Sequence, residues 1–157
     1  IGKGIPDAGS DDDISSQQPS EKASAHDKAD GDVLAALDRL MREKRLYRDP
    51  DLTLSRLARR AVIPARRISE AVNRARATNV SQFVNDYRIA EAQRLLRETD
   101  APVTDVMFEA GFQTKSNFNR EFLRVTGLSP RAFRRAGTSD GVTERALERE
   151  MPAPDGR

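Results

Sequence analysis

Cysteine is absent from all 157 residues, and with it go disulfides, thiolate metal sites and cysteine nucleophiles. A thiol-free chain suits a reducing compartment, so a cytoplasmic location is expected, whether the parent protein is soluble or membrane-tethered. Tryptophan is also missing and aromatic residues make up only 5%, which limits the chain to a modest core, most easily built from helices. The single histidine, His26, falls in a polar stretch and reads as a solvated bystander. No apolar run approaches the roughly 18 residues of a membrane span, and no signal-peptide hydrophobic region is present. Strand-like alternation is lacking too, so no glycine-rich phosphate loop can follow a strand. These absences together leave no expected catalytic residue, cofactor or metal site. The chain opens on Ile1 and not on methionine, as expected of a piece of a longer protein.

What is present is charge, unevenly placed. Lys and Arg number 27 against 25 Asp and Glu, a formal net of +2. Residues 1–30 carry three lysines against seven acids, residues 31–136 carry 21 basic against 13 acidic side chains, and residues 137–157 carry three arginines against five acids. A basic middle between acidic ends fits a polyanionic partner. It equally fits a solvated helical surface rich in arginine, and charge alone does not separate the two.

Residues 1–30 contain no Leu, Val or aromatic side chain, so they are expected to be a disordered linker from an upstream sensing or oligomerisation region. The stretch from Gly137 is expected to be a flexible tail in which VTERALEREM forms at most a short helix. Between them, residues 31–136 are helical in period throughout. Val33, Leu34, Leu37, Leu40 and Met41 line a first helix ending near Leu46, before the Asp49-Pro50-Asp51 break. Thr53 is placed to cap a short helix over 54–61, and Pro64 to open the next. A long helix spans about Val80 to Arg97. Pro102 opens another short helix ended by Gly111, Thr114 caps a further one stopped by Gly127, and Ser129-Pro130 starts the last. The expected fold is all-α, with seven helices.

An internal repeat organises these helices. Leu54, Leu57, Ala58, Ala61 and Ile63 lie 49 positions before Val103, Val106, Met107, Ala110 and Phe112, and Ile68 and Val72 lie 50 before Phe118 and Phe122. Each unit is a short helix, a tight turn with an apolar plug and a second helix with apolar positions four apart. That is a helix-turn-helix, in which the second helix keeps one face down and offers the other to a major groove. One such unit alone is equally an ordinary helical hairpin; two in register make a bipartite helix-turn-helix domain joined by the long central helix. Eighteen residues at about 1.5 Å each separate the units by about 27 Å, close to one ~34 Å turn of B-DNA once the loops are added.

The outward faces of the second helices carry the chemistry. The first shows Ala65, Arg66, Ser69, Glu70 and Asn73, flanked by Arg67 and Arg74; the other shows Lys115, Ser116, Asn117, Asn119 and Arg120. Such side chains hydrogen-bond base edges and phosphates, and the expected DNA contacts are Arg66, Arg67, Ser69, Glu70, Asn73, Lys115, Ser116, Asn117, Asn119 and Arg120. Glu70 either accepts from a cytosine amino group or pairs with Arg66, Arg67 or Arg74, and the sequence leaves both open. A peptide-binding helical module is the competing class for the whole chain.

The stretch PVTDVMFEAGFQTKSNFNREFLRVTGLSPRAFR resembles the second unit of the AraC/XylS family of bacterial transcription regulators, with GF in the turn, F-x-x-x-F on the recognition helix and TG-x-SP following. NVSQFVNDYRIAEAQRLL is similar to the family's connecting helix, in which Arg88 sits on the apolar seam as a structural hydrogen-bonder. The first unit is less similar: Val62 and Ala77 stand where glycine is usual, and Val72 where an aromatic is usual. The resemblance implies sequence-specific binding of double-stranded DNA in two successive major-groove segments. Its implied base readers are Arg66, Ser69, Glu70, Lys115, Ser116, Asn117, Asn119 and Arg120. It further implies transcription activation, RNA polymerase as a second partner, and an effector bound by the region upstream.

Overall fold

Capping side chains set where several of the described helices begin. The computed structural model describes residues 18–137, with side-chain surroundings from residue 26 on. Over those residues run α1 (Gln18–Lys44), a 3-10 turn (Leu46–Arg48), α2 (Leu54–Ala61), α3 (Ala65–Arg76), α4 (Val80–Glu98), α5 (Val103–Glu109), α6 (Lys115–Thr126) and α7 (130–137). The described residues contain no strand. Thr53, Asn79 and Thr114 accept from the amides of Arg56, Gln82 and Asn117 at 3.3, 2.9 and 3.4 Å, each satisfying an orphan donor of the helix it opens.

One boundary differs from the sequence expectation. The linker expected over residues 1–30 is helical from Gln18 onward, as the first part of a 27-residue α1. The segment lacks large apolar residues, but it holds Ala23, Ala25, Ala29, Glu21, Lys22 and Lys28, all good helix formers. Nucleation is the costly step, and once Val33, Leu37 and Met41 are packed the helix extends upstream one bond per residue. Residues 1–17, and the tail expected from Gly137 apart from Gly137 itself, which ends α7, lie outside the described residues.

Two cores divide the molecule. The first gathers Val33, Leu37 and Met41 of α1, Leu57 of α2, Ile68, Ala71 and Val72 of α3, and Phe83 and Val84 of α4. The second gathers Ile89, Ala92, Leu95 and Leu96 of α4, Val106 and Met107 of α5, Ala110 and Phe112 in the turn, and Phe118 and Phe122 of α6. The N-terminal half of α4 thus belongs to one unit and its C-terminal half to the other. Phe112, Phe118, Phe122 and Phe133 form a chain of edge-to-face rings with centroids 5.2, 5.5 and 5.4 Å apart, which stiffens the second unit. In the first unit Val72 takes the place of such a ring and is fully buried.

A strut locks the units together. Buried Arg88 of α4 donates from Nε to the Tyr47 carbonyl at 2.8 Å and from a terminal nitrogen to the Asp49 carbonyl at 2.9 Å, while its guanidinium lies 5.6 Å from the Phe112 ring centre. Here the structural role expected for Arg88 has its geometry. Arg48 pairs with Glu91 of α4 and lies 3.7 Å from Glu109 of α5, and Gln113 donates to Asp51 at 2.9 Å. Residues 47–51 therefore sit between the two halves as a hydrogen-bonded wedge.

Candidate nucleic-acid interface

The two helices that follow the tight turns, α3 and α6, are amphipathic in the way the repeat requires. Ile68, Ala71 and Val72 bury one side of α3, and Phe118 and Phe122 bury the same side of α6. Six of the ten sequence-derived contact residues are exposed: Arg66, Asn73, Lys115, Ser116, Asn119 and Arg120. Arg67, Ser69, Glu70 and Asn117 are half-buried.

On α3 the cations are not equivalent. Arg66 has 90% of its side chain exposed and donates from Nε to Glu70 at 2.8 Å. That pair holds the Glu70 carboxyl below its ordinary range. Of the two alternatives left open for Glu70, pairing within the helix is the one formed in the protein without DNA. Arg74 instead turns to α1, donating from Nε and a terminal nitrogen to the two oxygens of Asp30 at 2.7 and 2.9 Å. Arg67 reaches the same carboxylate at 3.5 Å. Two of the flanking arginines thus face the neighbouring helix, while Arg66, Glu70 and Asn73, spaced four and three residues apart, share the outward stripe.

On α6 the outward face is nearly free of acids. Arg120 is 75% exposed and donates to the Asn117 side chain at 2.8 Å, with Glu121 at 3.6 Å. Farther along, Arg124 is held by Asp86 at 2.5 Å and Glu121 at 3.0 Å, which ties it to α4. Lys115 and Asn119 line a surface groove of about 330 Å³ together with Thr104 of α5 and Ser129 and Arg131 at the start of α7. The sequence marks none of these last three as a contact, because they lie on other elements and meet α6 only in the fold. Asp30 was missed for a different reason: it sits in the stretch taken for a linker.

The N-terminal turns of α3 and α6 carry no acidic residue, so their positive dipole ends are not neutralised by their own first-turn side chains. Among the described residues no group of His, Cys, Asp and Glu is arranged to hold a metal ion, and no helix is long and apolar enough to cross a membrane.

A family model described as a helix-turn-helix domain matches residues 57–136. The transcriptional activator NphR of Rhodococcus sp is 36% identical over 87 residues, covering 55% of this chain and 26% of NphR. The arabinose operon regulatory protein of Escherichia coli K12 is 29% identical over 100 residues, covering 64% of this chain and 34% of that protein. The chain thus spans between about a tenth and a third of the length of the curated relatives it matches. In structure it is similar to the DNA-binding domain of AdpA, a global transcriptional factor solved in complex with a target DNA. There the identity is 26% and the TM-score 0.56, over 71% of this chain and 95% of that one.

Proposed function

This chain belongs to the AraC-type helix-turn-helix family of DNA-binding transcription regulators, and from that premise we propose that residues 31–136 bind one duplex through two successive major-groove segments. The observation that carries the reading is the mounting of two helix-turn-helix units on opposite halves of α4. That helix has 19 residues, about 28 Å of rise, and the wedge at residues 47–51 fixes the two halves against each other. A single chain then offers two recognition helices spaced for adjacent groove segments, where a helix-turn-helix with one unit needs a dimer.

The proposed contacts are Arg66, Ser69, Glu70 and Asn73 from α3 and Lys115, Ser116, Asn117, Asn119 and Arg120 from α6. Arg66 and Arg120 match the fork that reads guanine, and Asn73, Asn117 and Asn119 the amide that reads adenine. Glu70, ionised and held by Arg66, accepts from a cytosine amino group when Arg66 swings to the duplex. Activation is the proposed direction of regulation, with RNA polymerase as second partner and an effector acting through a region upstream. NphR, similar to this chain, is a transcriptional activator, which supports that direction.

Footprinting on a duplex selected from a random library tests the binding mode. Protection over about two helical turns from a monomer, on a site without two-fold symmetry, is the expected result. Protection confined to less than one turn, or a perfect palindrome bound by two chains, would overturn it. Affinity should also fall steeply with salt, which a peptide-binding module would not show on DNA.

A further inference from the structure

Asp30 is a buried carboxylate that lies outside both apolar cores and outside the proposed reading face. Its side chain is only 6% exposed, yet it belongs to the upstream part of α1 and not to either helix-turn-helix unit. Arg74, 44 residues away, grips it with a two-point fork, and Arg67 adds a third nitrogen at 3.5 Å. Arg67, Ala71 and Arg74 form one stripe of α3, with fully buried Ala71 between the two cations, and that stripe faces α1.

We propose that Asp30 is a positioning residue for DNA reading, which holds Arg74 and Arg67 back from the duplex and leaves Arg66, Ser69, Glu70 and Asn73 to meet it. This rests on the DNA-binding function proposed above. Helix α3 carries four arginines, Arg66, Arg67, Arg74 and Arg76. Long, mobile guanidinium groups contact any phosphate, and phosphate contacts raise affinity for every sequence alike. A buried acid that takes two of the four out of that competition lowers indiscriminate binding and fixes the roll of α3 about its axis. Arg66 is left as the exposed cation near its N-terminal end. The fork is the chemistry suited to this: two parallel N–H···O bonds orient Arg74, where a single contact with a lysine would not.

The test compares Asp30→Asn with Asp32→Asn. Asp32 lies on the same helix but is exposed, so its substitution removes the same charge without opening the fork. Affinity is measured against salt for a random-sequence duplex and for the duplex selected by the unaltered protein, with elution salt from heparin as a second measurement. Asp30→Asn should steepen the log–log salt slope by about 0.9 for each freed arginine that meets a phosphate, and should lower the ratio of selected to random affinity. Asp32→Asn should leave both near their starting values. Arg74→Gln alone should leave the slope unchanged, and combined with Asp30→Asn it should cancel part of the steepening. If Arg74→Gln alone lowers the slope by about 0.9, Arg74 already sits on a phosphate and the proposal fails. It fails equally if the two aspartate variants are indistinguishable. Should Asp30→Asn not fold, as read by circular dichroism, Arg74→Gln decides by itself. A protein that prefers no duplex would sink the DNA-reading function, and heparin elution would still decide on Asp30: later than Asp32→Asn supports it, together with Asp32→Asn refutes it.

Discussion

Val62 and Gly111 hold equivalent places in the two turns, and the backbone asks different things of each. Val62 has φ +57°, a left-handed conformation that a β-branched side chain resists, while 89% of the residue is exposed and packs on little. Val62→Gly should therefore raise stability by about 0.5–1 kcal/mol, seen as a rise of a few degrees in Tm. Gly111 combines φ +94° with crowding: a Cβ there would lie 2.4 Å from the Tyr47 carbonyl oxygen. That oxygen is already fixed by the Arg88 bond, so it cannot retreat. Gly111→Ala should cost at least about 3 kcal/mol, and an unchanged melting temperature would contradict the account. The glycine expected in the turn is thus required in one unit and only convenient in the other. On α6, Arg120→Ala should cost about 1–3 kcal/mol on the selected duplex and relax selectivity at one base pair, with stability changed by no more than about 0.5 kcal/mol. Phe118→Ala, on the buried side of the same helix, should cost about 3–5 kcal/mol of stability and lose binding through unfolding. Comparing selected with random duplex at one salt concentration separates these outcomes: equal weakening on both would make Arg120 a phosphate contact.

Among the elements, α1 is the one whose extent the composition misjudged. Absence of leucine and valine before Gly31 argued against burial, but helix formation beyond a packed segment needs only tolerable propensity. Gly31 lies inside α1, exposed, with nothing within 4 Å of the position a Cβ would take. Gly31→Ala should accordingly stabilise the protein by about 0.5–1 kcal/mol, measurable by denaturant midpoint at unchanged slope. Destabilisation instead would mean that the helix is broken at that point. The capping threonines, the terminating Gly127 and the apolar stripes of α4 and α6 were all legible, because they follow from signals within a few residues of each other. Ala77 was legible as an oddity, and its φ of +50° is the reason glycine suits that place.

At the scale of the whole molecule, the two units hold their relation through ionised groups, and acid should loosen it. Hydrogen bonds from Arg94 and then Arg48 lower the Glu91 carboxyl from 4.5 to about 2. A carboxylate whose folded pKa is depressed contributes stability above its unfolded pKa and loses it as the pH falls toward the folded one. Stability should thus be level near neutrality and fall between about pH 5 and 2, with Glu91 supplying on the order of 2–3 kcal/mol. Glu91→Gln should melt lower at pH 7 and show a shallower acid limb; an identical limb would place the acid sensitivity elsewhere. By itself the sequence determined the two helix-turn-helix units, their register against each other and the polar faces of α3 and α6, since a 3.6-residue period and a 49-residue repeat are written along the chain. Only the tertiary structure decided which acceptor each of the committed cations meets. Arg74 is bound to Asp30 across 44 residues, Arg48 to Glu91 across 43, and Arg88 to the Tyr47 carbonyl across 41. Periodicity reports the direction a side chain leaves its own helix, and carries no information about the charge that a distant helix brings to meet it.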